Sequence, residues 1–143
     1  MEKRSTVDNT MILFDRVTKA YETGQKALDD VSLQIEKGEF VFLVGNSGAG
    51  KTTLLELILR ETEADQGSIV VNGIDLRQLK ERQVCRYRRY IGMVFQDFCL
   101  FPDFTVYENV AFAQRVVEAD HKRMRSRVME VLSQVGLEKK AGC

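Results

Sequence analysis

The sequence predicts a mixed α/β fold in which antiparallel hairpins flank a strand–glycine loop–helix unit. Three observations carry this prediction. The run Phe40–Val44 is short and wholly apolar, which is typical of a buried parallel strand. The segment Gly45–Thr52 reads G-N-S-G-A-G-K-T and contains three glycines. The leucines that follow it, with Ile58 among them, supply the apolar face of a helix.

Composition limits the class of protein. The chain has 143 residues, of which 44% are hydrophobic and 29% charged, as in a globular protein with its own core. Its 21 basic and 21 acidic side chains cancel, so the net charge favours neither nucleic acid nor an anionic surface as partner. No apolar run approaches the length of a membrane span, and the first ten residues lack the apolar centre of a signal peptide.

The three cysteines point to a reducing compartment. Cys85, Cys99 and Cys143 are odd in number and have neither metal-ligand nor redox spacing. We therefore interpret them as ordinary thiols and expect a cytoplasmic protein.

Two further strands are predicted before the apolar run Phe40–Val44. Residues 1–10 are expected to form a disordered tail, and Met11 is an alternative start. A β-like segment follows at Ile12–Val17, and a turn signal at Thr23–Gln25 precedes a second strand over Ala27–Ile35, where apolar residues alternate. Residues 36–39 turn the chain into the apolar run.

After the loop and its helix the pattern alternates again. Ser68–Val71 is predicted as a strand that ends in the tight-turn pair Asn72-Gly73. Lys80–Tyr90 is predicted as a helix, and the apolar run Ile91–Phe95 as a second buried strand that ends at Gln96.

Two helices close the predicted fold. Thr105 and Glu108 match the capping box that opens a helix. Asp120 can cap the next helix, which Gly136 ends. Within that helix an apolar stripe recurs at helical spacing and is interpreted as core packing: Met124, Val128, Val131, Leu132 and Val135.

The glycine loop fits the phosphate-binding pattern G-x-x-x-x-G-K-[ST] at every fixed position. Gly45, Gly48 and Gly50 permit a close approach of the backbone, whose N–H groups then form a concavity for phosphate oxygens. Lys51 would reach the β- and γ-phosphates, and the Thr52 hydroxyl would bind Mg²⁺. Ser47 and Thr53 would add supporting contacts. The alternative is a glycine-rich turn that binds no ligand.

Two further side chains are candidate ligand contacts. Gln96 follows a predicted strand at the sheet edge where α/β proteins bind ligands, and its amide could bind Mg²⁺ or orient an attacking water. Tyr21 follows the first strand and could stack on a nucleotide base. Each has an ordinary alternative, a surface glutamine and a half-buried tyrosine respectively.

Basic residues form two clusters, one over residues 82–89 and one over 122–127. A solvated helix face is the simpler interpretation, and contact with a membrane-proximal partner or anionic headgroups is the functional one. His121 is the only histidine and has no evident catalytic partner.

Taken with Gln96, these segments resemble the nucleotide-binding subunit of ABC transporters, and most closely the FtsE-type ATPases of bacterial cell division. The likeness runs from Met11 to about Ala141 and rests on five segments: Ala27–Leu33, Phe40–Gly45, Ser47–Leu55, Ile91–Phe98 and Thr105–Phe112. It implies a P-loop NTPase with an ABC-type RecA-like core, an antiparallel β subdomain and the start of a helical subdomain. The domains implied are 11–104 for the N-terminal half of the core and 105–143 for the helical part.

The resemblance also implies roles for single residues. Tyr21 would stack on adenine, and the phosphates of ATP would lie on Gly45, Asn46, Ser47, Gly48, Ala49, Gly50, Lys51, Thr52 and Thr53. Lys51 and Gln96 would be catalytic, and Thr52 and Gln96 would bind Mg²⁺. Phe98–Phe104 would dock an FtsX-type membrane subunit, which would place the protein at the inner face of the plasma membrane. Full-length members of the family form homodimers.

The chain also departs from the family pattern. It contains no Leu-Ser-Gly-Gly signature and no apolar run that closes in Asp-Glu, and His121 stands in the wrong place for the family's switch histidine. Ala141–Cys143 looks like a cut or a changed reading frame. We therefore expect weak ATP binding, negligible hydrolysis and poor solubility. The alternatives are a non-catalytic nucleotide- or partner-binding module, an ABC exporter or lipoprotein-release ATPase, and a compact P-loop kinase.

Overall fold

The computed structural model describes residues 9–21, 24–117 and 121–143. These residues divide into two compact units, with the boundary between Arg88 and Arg89. Most of the predicted tail, and the predicted cap Asp120, lie outside the described residues. Thr10, which was assigned to the tail, already belongs to the first strand.

A four-stranded antiparallel sheet organises the first unit. Its strands are β1 (Thr10–Ala20), β2 (Lys26–Glu36), β3 (Gln66–Val71) and β4 (Ile74–Asp75), in the spatial order β2-β1-β3-β4. The predicted strands at Ile12–Val17, Ala27–Ile35 and Ser68–Val71 are confirmed. The tight turn at Asn72-Gly73 is also confirmed, because Val71 pairs with Ile74 across it. Asn72 and Gly73 both have positive φ angles, as this turn requires.

Irregular positions in β1 and β2 bend the sheet. Arg16 and Asp30 have φ angles of 49° and 52°, and the register shifts near each of them. The Arg16 N–H donates to the Ser32 hydroxyl at 2.9 Å, so the bulge leaves this donor satisfied. Gly67 of β3 lies against the bulge, where an added Cβ would stand 2.3 Å from the Arg16 carbonyl oxygen.

Two helices complete the first unit: α1 (Lys51–Ile58) and α2 (Glu81–Arg88), with a 3₁₀ turn at Leu76–Gln78 between them. Side chains of α2 bind carbonyl groups at the end of α1. The Tyr87 hydroxyl donates to the Ile58 carbonyl at 2.5 Å, and Arg88 Nε donates to the Leu59 carbonyl at 2.8 Å. These bonds satisfy acceptors that a helix end otherwise leaves open.

The prediction of a buried strand at Phe40–Val44 is wrong. This segment forms no strand, and its side chains are exposed, with Phe40 and Val44 each 84% accessible. The chain is nevertheless extended, since the rings of Phe40 and Phe42 lie on one side with their centroids 5.0 Å apart. A strand requires a neighbouring strand to complete its hydrogen bonds, and no described residue pairs with this segment.

The predicted strand Ile91–Phe95, in the second unit, is wrong for the same reason. It is apolar but has no ladder partner among the described residues. Ile91 and Met93 are half-buried, whereas Val94 is 80% exposed. The parallel strands inferred from these two apolar runs are thus not formed by the described chain.

The second unit is helical, with α3 (Val106–Val116), α4 (His121–Gln134) and a 3₁₀ turn at Glu138–Lys140. The predicted capping box is confirmed, as Glu108 N–H donates to the Thr105 hydroxyl and Thr105 N–H to the Glu108 carboxylate. The N–H groups of Val106 and Tyr107, which lie between these two residues, donate to the carbonyls of Cys143 and Ala141. The first turn of α3 is therefore satisfied by the chain itself.

The apolar stripe of α4 is confirmed at its centre. Met124, Val128 and Leu132 are buried and pack with Ala111 of α3. Val131 and Val135 are instead 39% and 63% exposed. Gly136, with a φ of 72°, ends the helix, as predicted. The N–H of the next residue, Leu137, donates to the Leu132 carbonyl.

No helix within the described ranges is both long and apolar enough to cross a membrane. The three cysteines are free and exposed.

Candidate functional site

The glycine loop and Tyr21 form one cleft in the first unit. Its volume is about 390 Å³, and it is lined by Tyr21, Gln25, Ala27, Ser47, Gly48, Gly50, Lys51, Thr52 and Thr53. Six of these nine residues belong to the predicted phosphate loop or directly follow it, and Tyr21 is the predicted stacking residue. The structure thus brings together groups that lie 26 positions or more apart in the sequence.

Gly50 attaches the loop to the sheet. It is buried with a φ of 81°, and an added Cβ would stand 2.3 Å from the Ala27 carbonyl oxygen of β2. Glycine is therefore required here by backbone angle and by space. Gly50 is also the N-cap of α1 and supplies no side-chain bond to it. The first amides of α1 therefore receive no side-chain cap, and the first residues of this helix line the cleft, which suits an anion.

Lys51 brings a positive charge to the same place. Its ammonium group donates to the carbonyls of Gly45 and Asn46, both at 2.7 Å. These two bonds fold the side chain back along the loop, so that charge, loop backbone and helix start converge. Ala49 N–H donates to the Asn46 carbonyl at 3.2 Å and tightens the turn.

The hydroxyl residues of the loop differ in their surroundings. Thr52 is exposed and lines the cleft, as a residue that binds a metal–phosphate complex would. Thr53 is only 5% exposed, and its hydroxyl lies 2.8 Å from that of Tyr21. Amide donors, one ammonium group and a free hydroxyl are a donor set that fits a nucleotide phosphate chain with Mg²⁺.

Tyr21 is held at both ends. Its N–H donates to the Gln25 carbonyl at 3.1 Å, and its carbonyl accepts from Gly24 at 2.8 Å. Its hydroxyl donates to the Glu56 carboxylate at 3.0 Å. The residue remains 46% exposed, so part of the ring stays available at the wall of the cleft.

Sequence reasoning missed Gln25, Ala27 and Glu56. No motif marks the first two, which enter the cleft only because β2 passes beside the loop. Glu56 carries a weak signal, since it follows Thr53 by three positions on the same helix and so shares its face.

Gln96 belongs to the second unit, where it opens an exposed turn after the apolar run. Phe98 and Cys99 in this turn have positive φ angles of 58° and 46°. The predicted roles of Gln96 in Mg²⁺ binding and catalysis remain predictions.

The predicted partner site contains four large apolar side chains, which we call the aromatic patch: Phe98, Leu100, Phe101 and Phe104. All four are exposed, Phe98 and Leu100 by 69% and 67%. Phe101 and Phe104 stack against Phe112 of α3, with centroids 4.7–6.4 Å away. Asn109, which sequence reasoning missed, holds this loop by donating to the carbonyls of Phe101 and Phe104 and accepting the Phe101 N–H.

The basic clusters are mainly solvated. Arg82, Arg86, Arg123, Arg125 and Arg127 are all exposed. Arg88 is exposed as well, and its guanidinium donates to the carbonyls of Leu59 and Arg60 at the end of α1. The side chain of His121 lies outside the described part of the structure.

Comparison with known families agrees with this geometry. The family model described as "ABC transporter" matches residues 28–142. Two curated relatives are named cell division ATP-binding protein FtsE. The one from Bacillus subtilis is 48% identical over 131 residues and the one from Escherichia coli K12 is 46% identical over 131 residues. Each alignment covers 92% of this chain but only 58% or 59% of the relative.

Solved structures with the same fold include an ATP-binding cassette. The dimeric structure of the cassette MJ0796 in a post-hydrolysis state, bound to ADP and Pi, matches with a TM-score of 0.81 and 34% sequence identity. That match covers 92% of this chain and 60% of the cassette. The chain thus spans about three fifths of the length of its relatives.

Proposed function

The chain belongs to the ABC transporter family, and we propose that it is the ATP-binding portion of an FtsE-like subunit. The observation that carries this proposal is the cleft in which Tyr21 faces the phosphate loop. The strand order alone is compatible with many kinds of ligand. The ring of Tyr21 opposite a loop that carries amide donors and Lys51 suits a nucleotide.

The phosphates of ATP would lie on the loop Gly45–Thr53. Free amides at the start of α1 would donate to their oxygens, and Lys51 would exchange its bonds with the loop carbonyls for bonds with the β- and γ-phosphates. The Thr52 hydroxyl would bind Mg²⁺, with Gln96 as a second ligand. The metal would neutralise phosphate charge, while these side chains fix its position.

The adenine base would stack on Tyr21. The Tyr21 ring and Lys51 both line the cleft, which has a volume of about 390 Å³. A base gains about 1–3 kcal/mol from stacking on an aromatic side chain.

The aromatic patch would dock an FtsX-like membrane subunit. Exposed Phe98 and Leu100 have no evident packing role, and apolar side chains on a loop fixed by Asn109 suit a partner helix. The protein would then act in cell division at the inner face of the plasma membrane, as a homodimer in its full-length form. We retain the domain division 11–104 and 105–143 as part of this proposal.

We expect these 143 residues to bind ATP with little or no turnover. Hydrolysis in a P-loop site needs an acidic side chain to help hold Mg²⁺ and polarise water. No apolar run in the sequence closes in Asp-Glu, and no group of three or more His, Cys, Asp or Glu side chains in the described ranges could hold a metal. A non-catalytic binding module is the second candidate, and the same observation favours it.

Titration with a fluorescent ATP analogue tests the proposal. We expect saturable, Mg²⁺-dependent binding by the chain and at least a tenfold loss in Lys51→Ala, since a hydrogen bond to a charged group is worth about 1.5–3 kcal/mol. Lys80→Ala removes the same charge from an exposed position outside the cleft and should bind normally. Equal binding by the chain and Lys51→Ala would contradict the proposal.

A further inference from the structure

We propose that Glu56 is a positioning residue that fixes the ring of Tyr21 for nucleobase binding. This inference rests on the proposed function, because it concerns how the base half of the ATP site is built. Glu56 does not line the cleft and would not touch the nucleotide. It would act only through the tyrosine.

The hydroxyl bonds define the direction of the network. A tyrosine hydroxyl has one proton, and a carboxylate can only accept, so the Tyr21 proton goes to Glu56 at 3.0 Å. The second bond, 2.8 Å long, must then be donated by the Thr53 hydroxyl to the Tyr21 oxygen. Thr53 is buried, so its hydroxyl has few alternative partners. Glu56 thereby orders both hydroxyl groups.

The backbone of Tyr21 is fixed by a separate set of bonds. The turn with Gly24 and Gln25 closes behind it, and the preceding Ala20 N–H donates to the Asp65 carboxylate at 2.6 Å. With the main chain fixed, the ring can still rotate about its two side-chain bonds. The hydroxyl bonds to α1 restrict that rotation, so the ring is held in place at the wall of the cleft.

A held ring binds better than a mobile one because its ordering entropy is lost before the ligand arrives. The effect should be specific to the base. The phosphate groups contact the loop amides and Lys51, which do not depend on the Tyr21 hydroxyl. Loss of Glu56 should therefore weaken the binding of ATP but leave the affinity for inorganic tripolyphosphate unchanged.

The experiment compares those two ligands on the 143-residue chain and its variants. We expect Glu56→Ala and Tyr21→Phe each to weaken ATP binding about three- to tenfold, the cost of ordering one side chain when the ligand binds. The double variant should bind ATP no more weakly than Tyr21→Phe alone, since Glu56 acts only through the hydroxyl that this substitution removes. Tyr21→Ala, which removes the ring, should lose more. Tripolyphosphate affinity should stay within twofold throughout.

Two variants keep the test independent of folding. Glu56→Gln retains an acceptor oxygen and should restore most of the ATP affinity that Glu56→Ala loses. Glu61→Ala removes one carboxylate just beyond α1, outside the cleft, and should behave as the unaltered chain. Circular dichroism of each variant verifies that α1 and the sheet are retained.

The outcomes separate this inference from the proposed function. Unchanged ATP binding by Glu56→Ala or Tyr21→Phe overturns the positioning role while leaving ATP binding intact. Equal losses for ATP and tripolyphosphate also overturn it, because they indicate general disruption of α1. A chain that binds neither ligand overturns both the inference and the proposed function.

Discussion

Two apolar stretches of the first unit have opposite fates. The strand β1 contains the apolar run Met11–Phe14 followed by Val17, and its side chains Phe14 and Val17 are 1% and 0% exposed. The segment Phe40–Val44 is more apolar residue for residue, yet Phe42 is 78% exposed and the segment forms no strand. The difference lies in hydrogen bonding, since β1 pairs with β2 on one side and β3 on the other.

Apolar side chains favour burial, but an apolar sequence alone does not bury a segment. A strand is stable when its N–H and C=O groups find partners and its side chains meet another layer. β1 has both, and its ladder partners are β2, which follows it in the sequence, and β3, which lies beyond α1. Phe40–Val44 has neither among the described residues and remains an extended apolar segment of the kind that promotes aggregation.

The largest expected contrast is between two phenylalanine truncations. Phe14→Ala should lower the free energy of unfolding by about 3–5 kcal/mol, because it empties a fully buried position. Phe42→Ala should change it by less than about 0.5 kcal/mol, as for an exposed residue. Urea unfolding followed by circular dichroism measures both, and a large loss in Phe42→Ala would show that the segment is packed after all.

Two glycines sharpen the account of how β1 is held. Gly67→Ala should destabilise by about 1–3 kcal/mol, because its φ is 83° and the new Cβ would meet the Arg16 carbonyl oxygen at 2.3 Å. Gly73→Ala has a similar φ of 76° but open space around it, and should cost about 1 kcal/mol. The same unfolding experiment compares them. Equal losses would mean that backbone angle alone, and not contact with the bulge, determines the effect.

The α1–α2 contact should contribute less. Tyr87→Phe leaves the Ile58 carbonyl without its donor and should cost about 1 kcal/mol below pH 9. Burial raises the pKa of Tyr87 from its ordinary value of 10.0 to about 12. The unfolded chain therefore releases this proton first, and the stability from Tyr87 should be lost as pH rises from 10 to 12. The difference between the chain and Tyr87→Phe, measured across that range, should shrink accordingly.

The smallest effect is expected from the carboxylate that fastens the end of β1. The hydrogen bond from Ala20 N–H lowers the pKa of Asp65, and Lys19 adds to this against a weaker opposing effect of burial. A lowered pKa stabilises the folded chain above the ordinary carboxyl range and is lost on acidification below about pH 4. Asp65→Asn should therefore lose slightly less stability than the unaltered chain when the pH falls from 6 to 3. Unfolding midpoints measured over that range test this. If the unfolding midpoint of Asp65→Asn depends on pH as that of the unaltered chain does, Asp65 does not stabilise the end of β1.

The extent to which sequence predicts this protein follows from the range of the interactions involved. The phosphate loop, the capping box at Thr105 and the turn at Asn72-Gly73 depend on residues within a few positions of one another, and all three are formed. The antiparallel strands were predicted from their local apolar patterns and turn signals, although the pairing of β1 with β3 joins segments on either side of α1. Glu56 and Asn109 could not be foreseen, because each acts on groups that a folded loop brings to it.

The sequence by itself determined the glycine loop, the tyrosine that follows β1 and membership of a family, because these are properties of residue type and spacing. Only the tertiary structure decided that Tyr21 is tied to Glu56 and Thr53, and that Phe40–Val44 lies unpaired. Both depend on which segments meet in space. Hydrogen bonds and strand ladders need a partner at about 3 Å, and no local pattern reveals whether that partner will be there.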